Sequence, residues 1–465
     1  VAAPSGDRAK FLTGSPLWHI TVMSLTSSVG LMAVFAVDFI NMIFISMLGK
    51  AELAAAIGYA GAILFFTSSF GIGMAIAAGA LVSRALGSGD KEKARRQATN
   101  SLIYGALFGA VFAGIVWLFL RPLVALLGAE GNTLDLSVSY LSIVVPSLPL
   151  LLIGMVGGAI LRAHGDAARS MLATIGGAVV NAALDPILIF GFGLELTGAA
   201  ISTVFARLAI AMIALVPLVR VYGGFGGPNI RSVRLDLFPV LGIAVPAILT
   251  QLATPVGQAF VTRSMSAYGE EAVAGMAIIS RMTPVAFGVI FALSGAVGPI
   301  MGQNFGAGLH DRVRGTFRDG LIFTAIVTVV VSLALFLLRG PLSSLFQLEG
   351  EAFTLVMLFA GPLSLLWFFN GVIFVGNAAY NNLGHPFYST VVNWGRHTIG
   401  TVPFVMLFAT WFGASGVLIG QSVGGAIFAL ISVVLAYRVM GAARGVPAPP
   451  IDNDLRVHRL MNNRS

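Results

Sequence analysis

The chain has 465 residues, of which 57% are hydrophobic and only 10% charged, and its formal net charge is +8. Its mean hydropathy is +0.92. A soluble fold carries about a quarter charged residues, so this chain has too few to coat a water-facing surface and reads as an integral membrane protein. It has no cysteine, which excludes disulfides, thiolate metal sites and cysteine nucleophiles.

Crossing a hydrocarbon core of about 30 Å takes roughly 20 helical residues, and apolar stretches of that length recur along the chain. The first, 17–48, follows Arg8 and Lys10 but is too long for a signal peptide and lacks a small-residue cleavage pattern; Val1 suggests a trimmed start. Next come 53–86, 96–120, 134–161, 168–192 and 196–222. After the polar, glycine-rich stretch Tyr222 to Asp236 follow 236–267, 271–305, 316–338, 352–378, 387–411 and 414–439. Strands of a membrane barrel would alternate apolar and polar residues, whereas Leu321 to Leu338 is apolar almost without interruption. The expected fold class is therefore an all-α integral membrane protein with twelve transmembrane helices.

Basic residues set the orientation. With both ends of the chain cytoplasmic, the segments on that side hold the clusters Arg84 to Arg96, Arg220 to Arg234, Arg312 to Arg318 and those from Arg438 onward. The opposite loops hold Lys50, Arg121, Arg263 and Arg339. A multi-pass protein of the cell (inner) membrane is expected. The bias also accounts for the positive charge without nucleic acid, since no basic module stands outside the bundle.

The second half repeats the first at a spacing of about 219 residues. Leu86-Gly87-Ser88-Gly89 matches Phe305-Gly306-Ala307-Gly308, and Arg162 to Gly165 matches Asn381 to Gly384; Gly49 pairs with Gly269 and Pro122 with Pro341. Six spans per repeat give two pseudo-symmetric six-helix bundles related by an axis along the membrane normal, with a midplane cavity between them. The predicted division is a tail at 1–14, a first lobe at 15–222, a linker at 223–235, a second lobe at 236–440 and a tail at 441–465.

Of 19 acidic residues, Asp38 and Asp185 alone fall deep inside predicted spans. A carboxylate at mid-bilayer costs roughly 2.5 to 3.5 kcal/mol on insertion scales, so a retained one is a functional candidate facing the interior. At 1.5 Å per residue both lie about 10 to 15 Å below the outer surface. Asn181 is one turn before Asp185 on the same helical face, and Pro186 leaves the Ala182 carbonyl without its helical donor. The next span opens with Gly198-Ala-Ala-Ile-Ser-Thr203, small residues that permit close approach, plus a hydroxyl. This set of hard oxygens suits a proton or a small cation such as sodium. In the repeat, Asp38 aligns with Gln258 and Asp185 with Phe404, so the acid pair belongs to the first half only.

Asp38-Phe-Ile-Asn41 with Gly49, the loop Gly87 to Arg95, Arg162-Ala-His-Gly165-Asp166, and Asn181 to Pro186 followed by Gly198 to Thr203 resemble multidrug and toxic compound extrusion (MATE) transporters. The resemblance covers residues 15 to 440. It implies a monomeric, lipid-embedded exporter, not an enzyme, that uses no cofactor and expels small organic, often cationic and lipophilic, compounds in exchange for protons or sodium by alternating access. It also implies that Asp38, Asn181, Asp185 and Thr203 form the cation site, the place for any sodium ion, with the Ala199 carbonyl and Tyr140 nearby. The seventh span offers Gln251, Thr254 and Gln258 where the NorM-like branch has an acid, so the DinF-like branch fits better. No proline falls between Pro16 and Asp38, which argues against a bending first helix.

Met32, Phe35, Gln251, Gln258, Met282 and Arg281 are candidates for the substrate cavity, the methionines as adaptable apolar contacts. Arg281 could instead bond carbonyls at a break near Pro284, and Arg396 with His397 could form a packed polar cluster or part of a substrate path. A related alternative is a flippase for a lipid-linked saccharide or similar amphiphile, whose phosphates would call for cavity arginines. His164, His310 and His385 lie in loops without metal-ligand spacing.

Overall fold

The computed structural model describes residues 9–227 and 229–443. Of the expected tails, 1–14 and 441–465, residues 1–8 and 444–465 lie outside the described residues. Within them the chain forms helices and no strands. The first half comprises α1 (Pro16–Met47), α2 (Ala51–Gly87), α3 (Lys91–Leu118) with the short α4 (Leu120–Leu126), α5 (Gly131–Val144) continuing into α6 (Leu148–Ala163), α7 (Ala167–Pro186) and α8 (Glu195–Arg220). The second half comprises α9 (Ile230–Ser266), α10 (Glu270–Ala286) with α11 (Gly288–Gly306), α12 (His310–Leu345), α13 (Gly350–Leu358) with α14 (Trp367–Leu383), α15 (Phe387–His397) and α16 (Val402–Ala443).

Among the described residues, nine helical runs are long and apolar enough to cross a membrane, and the bent pairs α10–α11 (47°) and α13–α14 (60°) raise the number to eleven. The twelfth span comes from the last run. Phe387–Ala442 has 56 residues, about 84 Å of straight helix, and it folds back at Gly413, whose φ is 59° and ψ −137°. The two arms then pack backbone to backbone. A Cβ on Gly416, Gly420 or Gly424 would lie 2.0, 2.5 or 1.4 Å from the carbonyl oxygen of Phe408, Phe404 or Gly400. As one number rises the other falls, which is an antiparallel hairpin split where the sequence places a boundary, between 411 and 414.

The internal repeat is written in the backbone. Left-handed conformations recur at matched positions: Gly49 and Gly269, Gly89 and Gly308, Gly131 and Gly350, Gly165 and Gly384. Even Gly128 has a counterpart in Gln347, a non-glycine residue at φ 50°. These are the turns that end spans, where only a residue tolerant of positive φ can reverse the chain tightly.

Three sequence expectations are adjusted. The linker is shorter than 223–235, because α9 begins at Ile230, where the Asn229 side chain accepts from Arg231 N–H. The span expected at 271–305 is broken at Phe287, three residues after Pro284, where a break was one of the two readings of Arg281. The span expected at 352–378 is broken around Gly361 and Pro362. By contrast, α1 is one continuous helix from Pro16 to Met47.

The halves are clamped together at the basic end. Ser83, Arg84 and Gly87 of α2 meet Gly302, Gln303 and Gly306 of α11 so closely that a Cβ on Gly87 would lie 2.0 Å from the Gln303 carbonyl oxygen. Arg84 donates to the carbonyls of Asn382 (2.8 Å) and Asn381 (2.7 Å). Arg96 and Asn100 donate to Asp236, an acid on α9 that is only 3% exposed. Phe11, 1% exposed, is held by Gln303, Asn304 and Arg312 while Lys10 reaches the Gly165 carbonyl. In the adjoining loop partial burial pushes the Asp166 carboxyl upward, but hydrogen bonds from Tyr222 and Arg169 outweigh it and hold that group below its usual range.

A packing test follows. Gly424→Ala drives a methyl into the Gly400 carbonyl and is expected to lower stability by about 1–3 kcal/mol. Gly340→Ala, where a Cβ meets open space, is expected to be neutral or slightly stabilising because alanine favours helix. Thermal unfolding in detergent compares the two.

Candidate cation site and second-half cavity

The acids are brought to one level by the parallel run of α1 and α7. A Cβ on Gly30 would lie 3.4 Å from Met171 and Thr174, and the Phe44 and Phe190 rings meet edge to face at 5.8 Å. Both contacts have nearly the same offset, which sets Asp38 beside the turn Asn181 to Leu184.

Asp185 ends α7, and Pro186 denies the Ala182 carbonyl its usual donor; the helix then widens into a π turn over Ile187–Gly191. There Gly198 of α8 comes so near that a Cβ would lie 2.7 Å from the Leu188 backbone. One turn further along α8, Ser202 donates to Asp185 Oδ1, while Asn181 Nδ2 donates to Oδ2 at 3.2 Å. Asp185 is 0% exposed, whereas Asp38 is exposed.

Thr203 faces elsewhere. Its hydroxyl donates to the Ala199 carbonyl at 2.9 Å and lies within hydrogen-bonding reach of Tyr140. The buried Tyr140 phenol is also within electrostatic reach of Arg207, Asp185 and Asp38. The Ala199 carbonyl already accepts from both Ser202 and Thr203. Two oxygens remain free: Asn181 Oδ1 and Asn41 Oδ1 are buried without a partner. Among the described residues no group of three or more His, Cys, Asp or Glu could hold a metal ion, so a cation here would depend on neutral oxygens beside the carboxylates.

The sequence reading missed three members. Ser202, not Thr203, holds Asp185; the two hydroxyls are adjacent and only the α7–α8 crossing decides between them. Buried Arg207, one turn beyond Thr203, donates to the Val144 carbonyl (3.1 Å) and Ser147 Oγ (3.0 Å), where the fourth span tightens into a 3-10 turn at Pro146. Asn41 stands in the quoted motif but had no role.

The second half holds a cavity of about 300 Å³ lined by Gln258, Ser280, Trp367, Asn370, Arg396 and His397, among others. Of the expected substrate residues only Gln258 lines it. Gln251 is half-buried, Arg281 is exposed, Met32 packs on Gly288, Met282 joins the apolar core of the second half, and Phe35 is half-buried on α1. Arg396 donates to Asn370 Oδ1 at 2.7 Å and reaches His397 Nε2 at 2.9 Å. Gly257 makes room for the imidazole; a Cβ there would lie 2.1 Å from Nδ1.

The chain matches the MatE family over residues 27–187 and 246–411, one segment in each half. It belongs to that family. It is similar to a Shewanella oneidensis protein described as an FAD transporter, 27% identical over 94% of this chain and 98% of that one. It is also similar to the multidrug export protein MepA of Staphylococcus aureus, 24% identical over 93% and 96%. Among solved structures, a mutant of the Vibrio cholerae MATE transporter VcmN superposes with a TM-score of 0.87 at 24% identity, covering 92% of this chain and 97% of that one. An outward-facing multidrug resistance MATE transporter gives 0.88 at 21% identity, covering 96% and 100%. The fold is thus the twelve-helix, two-lobe arrangement of this MatE family.

Removing the one hydroxyl on Asp185 tests the local geometry. Ser202→Ala is expected to cost about 1–3 kcal/mol, the penalty for leaving a buried acceptor short of a donor, whereas Thr203→Ala, whose hydroxyl mainly bonds its own helix, should cost less. Unfolding midpoints of the two variants check this.

Proposed function

We propose that this MatE protein is a secondary active exporter of small organic compounds, driven by exchange with a proton or sodium ion at the acids of the first lobe. The observation that carries this reading is Asp185: fully buried, held by two neutral donors, and level with Asp38 on the parallel α1. Charge at such a depth is costly unless something binds it. A pair of acids joined to unpartnered amide oxygens can take up and release a small cation. The relatives described as a multidrug export protein and an FAD transporter support transport of organic molecules.

Alternating access by rocking of the lobes 15–222 and 236–440 supplies the coupling. Cation and cargo must favour different lobe arrangements, since a ligand shifts an equilibrium only by its differential affinity for the two states. The basic end, closed by Arg84, Asp236 and Phe11, is the cytoplasmic gate in this reading, and both termini face the cytoplasm of a cell whose inner membrane holds the protein as a monomer. The absence of an acid at Gln258 fits the DinF-like branch, and the unbroken α1 fits a mechanism without a bending first helix.

Asp38→Asn is expected to reduce gradient-driven dye or drug efflux at least tenfold in reconstituted vesicles while the protein remains folded, an order of magnitude set by losing a charge-assisted contact. Imposing proton and sodium gradients separately identifies the coupling ion. Full gradient-driven transport by the variant would defeat the role given to the acids.

A further inference from the structure

The two lobes repeat one backbone plan but differ in the charge they enclose. In the first lobe one repeat position is an acid, Asp38. In the second, its counterpart Gln258 lines a cavity whose titratable lining groups, among the described residues, are Arg396 and His397, with no Asp, Glu or Lys. The Arg396 guanidinium has only neutral partners, Asn370 and His397, and no carboxylate within ion-pair distance among the described residues.

A guanidinium carries five donors in a planar fork that matches a carboxylate or a phosphate. The two bonds to Asn370 and His397 leave donors to spare. The imidazole is wedged against Gly257, which holds its Nε2 toward Arg396 and so fixes the fork. Beside it stand two aromatic rings of the cavity wall, Trp367 and Phe291, with centroids 5.4 Å apart; Trp367 is itself braced by stacking on Phe287 at 4.9 Å and 11°. A half-buried cation in a cavity with a flat apolar wall is complementary to an organic anion with a flat ring.

We propose that this cavity is an anion-recognising subsite: Arg396 receives a carboxylate or phosphate of the cargo, and the attached ring lies against Trp367 and Phe291. A volume of about 300 Å³ is at the small end for ligand pockets, so the subsite takes one ring system with its acidic group, and any larger remainder extends outside it. The substrate class therefore includes organic anions or zwitterions, beyond the cationic compounds that the family resemblance alone suggests. The inference deepens the transport reading and rests on it for calling the ligand a cargo, but the binding step needs no gradient and no cation exchange.

The test uses the full chain in nanodiscs and measures binding through tryptophan fluorescence, with two matched pairs of probes: riboflavin phosphate against riboflavin, and naphthoate against naphthamide. The pairs separate phosphate from carboxylate as the recognised group. At least one anionic member is expected to bind about tenfold tighter than its neutral twin, the scale of a charge-assisted contact. Arg396→Gln should bring the twins to equal affinity. Asn370→Asp, which gives the guanidinium a carboxylate of its own, should do the same with the arginine still present, and Arg396→Lys should retain part of the preference. Asp38→Asn should leave it unchanged, so failure of ion coupling and failure of the subsite give different results. If Arg396→Gln does not fold, Asn370→Asp and Arg396→Lys decide the matter. Equal affinities of the twins in the unmodified protein, or a preference for the anion that survives Asn370→Asp, would overturn the proposal.

Discussion

Charge within hydrocarbon must be bound to something, and the protein's polar interior is organised by how each buried charge meets that demand. Removed from water, an ionised group is tolerated only where donors, acceptors or an opposite charge replace its hydration. At the basic end the demand is met inside the protein: Asp236 by Arg96 and Asn100, Arg84 by two carbonyls of α14. These contacts join one half to the other, so satisfying a charge and closing the seam are one event. Deeper in the lobes the demand is met only in part. Asp185 has two neutral donors beside an unpartnered Asn181 oxygen, and Arg396 has two neutral partners and, among the described residues, no acid. On the proposed reading, an outside ligand completes each of these two sets.

Close backbone approach makes those placements possible. Between lipid-surrounded helices there is little hydrophobic drive to associate, so small residues that let backbones touch carry the packing. Gly198 against Leu188 determines which hydroxyl of α8 reaches Asp185, and Gly257 against His397 determines where Arg396 points. At each site a missing side chain on one helix positions a functional side chain on its neighbour. Glycine is therefore part of the chemistry as well as of the fold, and an added methyl at either position would move a ligand-facing group without touching it.

What was legible in the sequence follows from what is local. Span number, helical class and the repeat depend on runs of apolar residues and recurring turns, which are one-dimensional properties; the fold-back at Gly413 fell between 411 and 414 for that reason. The bend at Phe287 was harder to place, because Pro284 acts through a carbonyl one turn away. Asp38 and Asp185 stood out because acids are rare in apolar runs. Ser202 did not, since it and Thr203 differ by about 100° around the helix, and only the crossing with α7 chooses between them. Arg207 and Asp236 were passed over for a related reason: their partners lie on distant segments, and no pattern within their own helices points to a carbonyl at Val144 or a guanidinium at Arg96.

A duplicated bundle offers two equivalent interior positions, and identical chemistry in both would give a transporter whose lobes respond alike to every ligand. Here the lobes have diverged to an acid pair in one and, in the other, an arginine with no carboxylate partner among the described residues, on a backbone that keeps its turns at matched residues. If each site is completed by a ligand of opposite sign, a small cation and an organic anion draw on different lobes, and neither competes directly for the other's donors. Exchange then cannot arise from simple displacement at a shared site. It has to run through the relative arrangement of the lobes, the single property on which both ligands act, which places the mechanical burden on the seam of Ser83, Gly87, Gly302 and Gly306, where the two halves touch backbone to backbone.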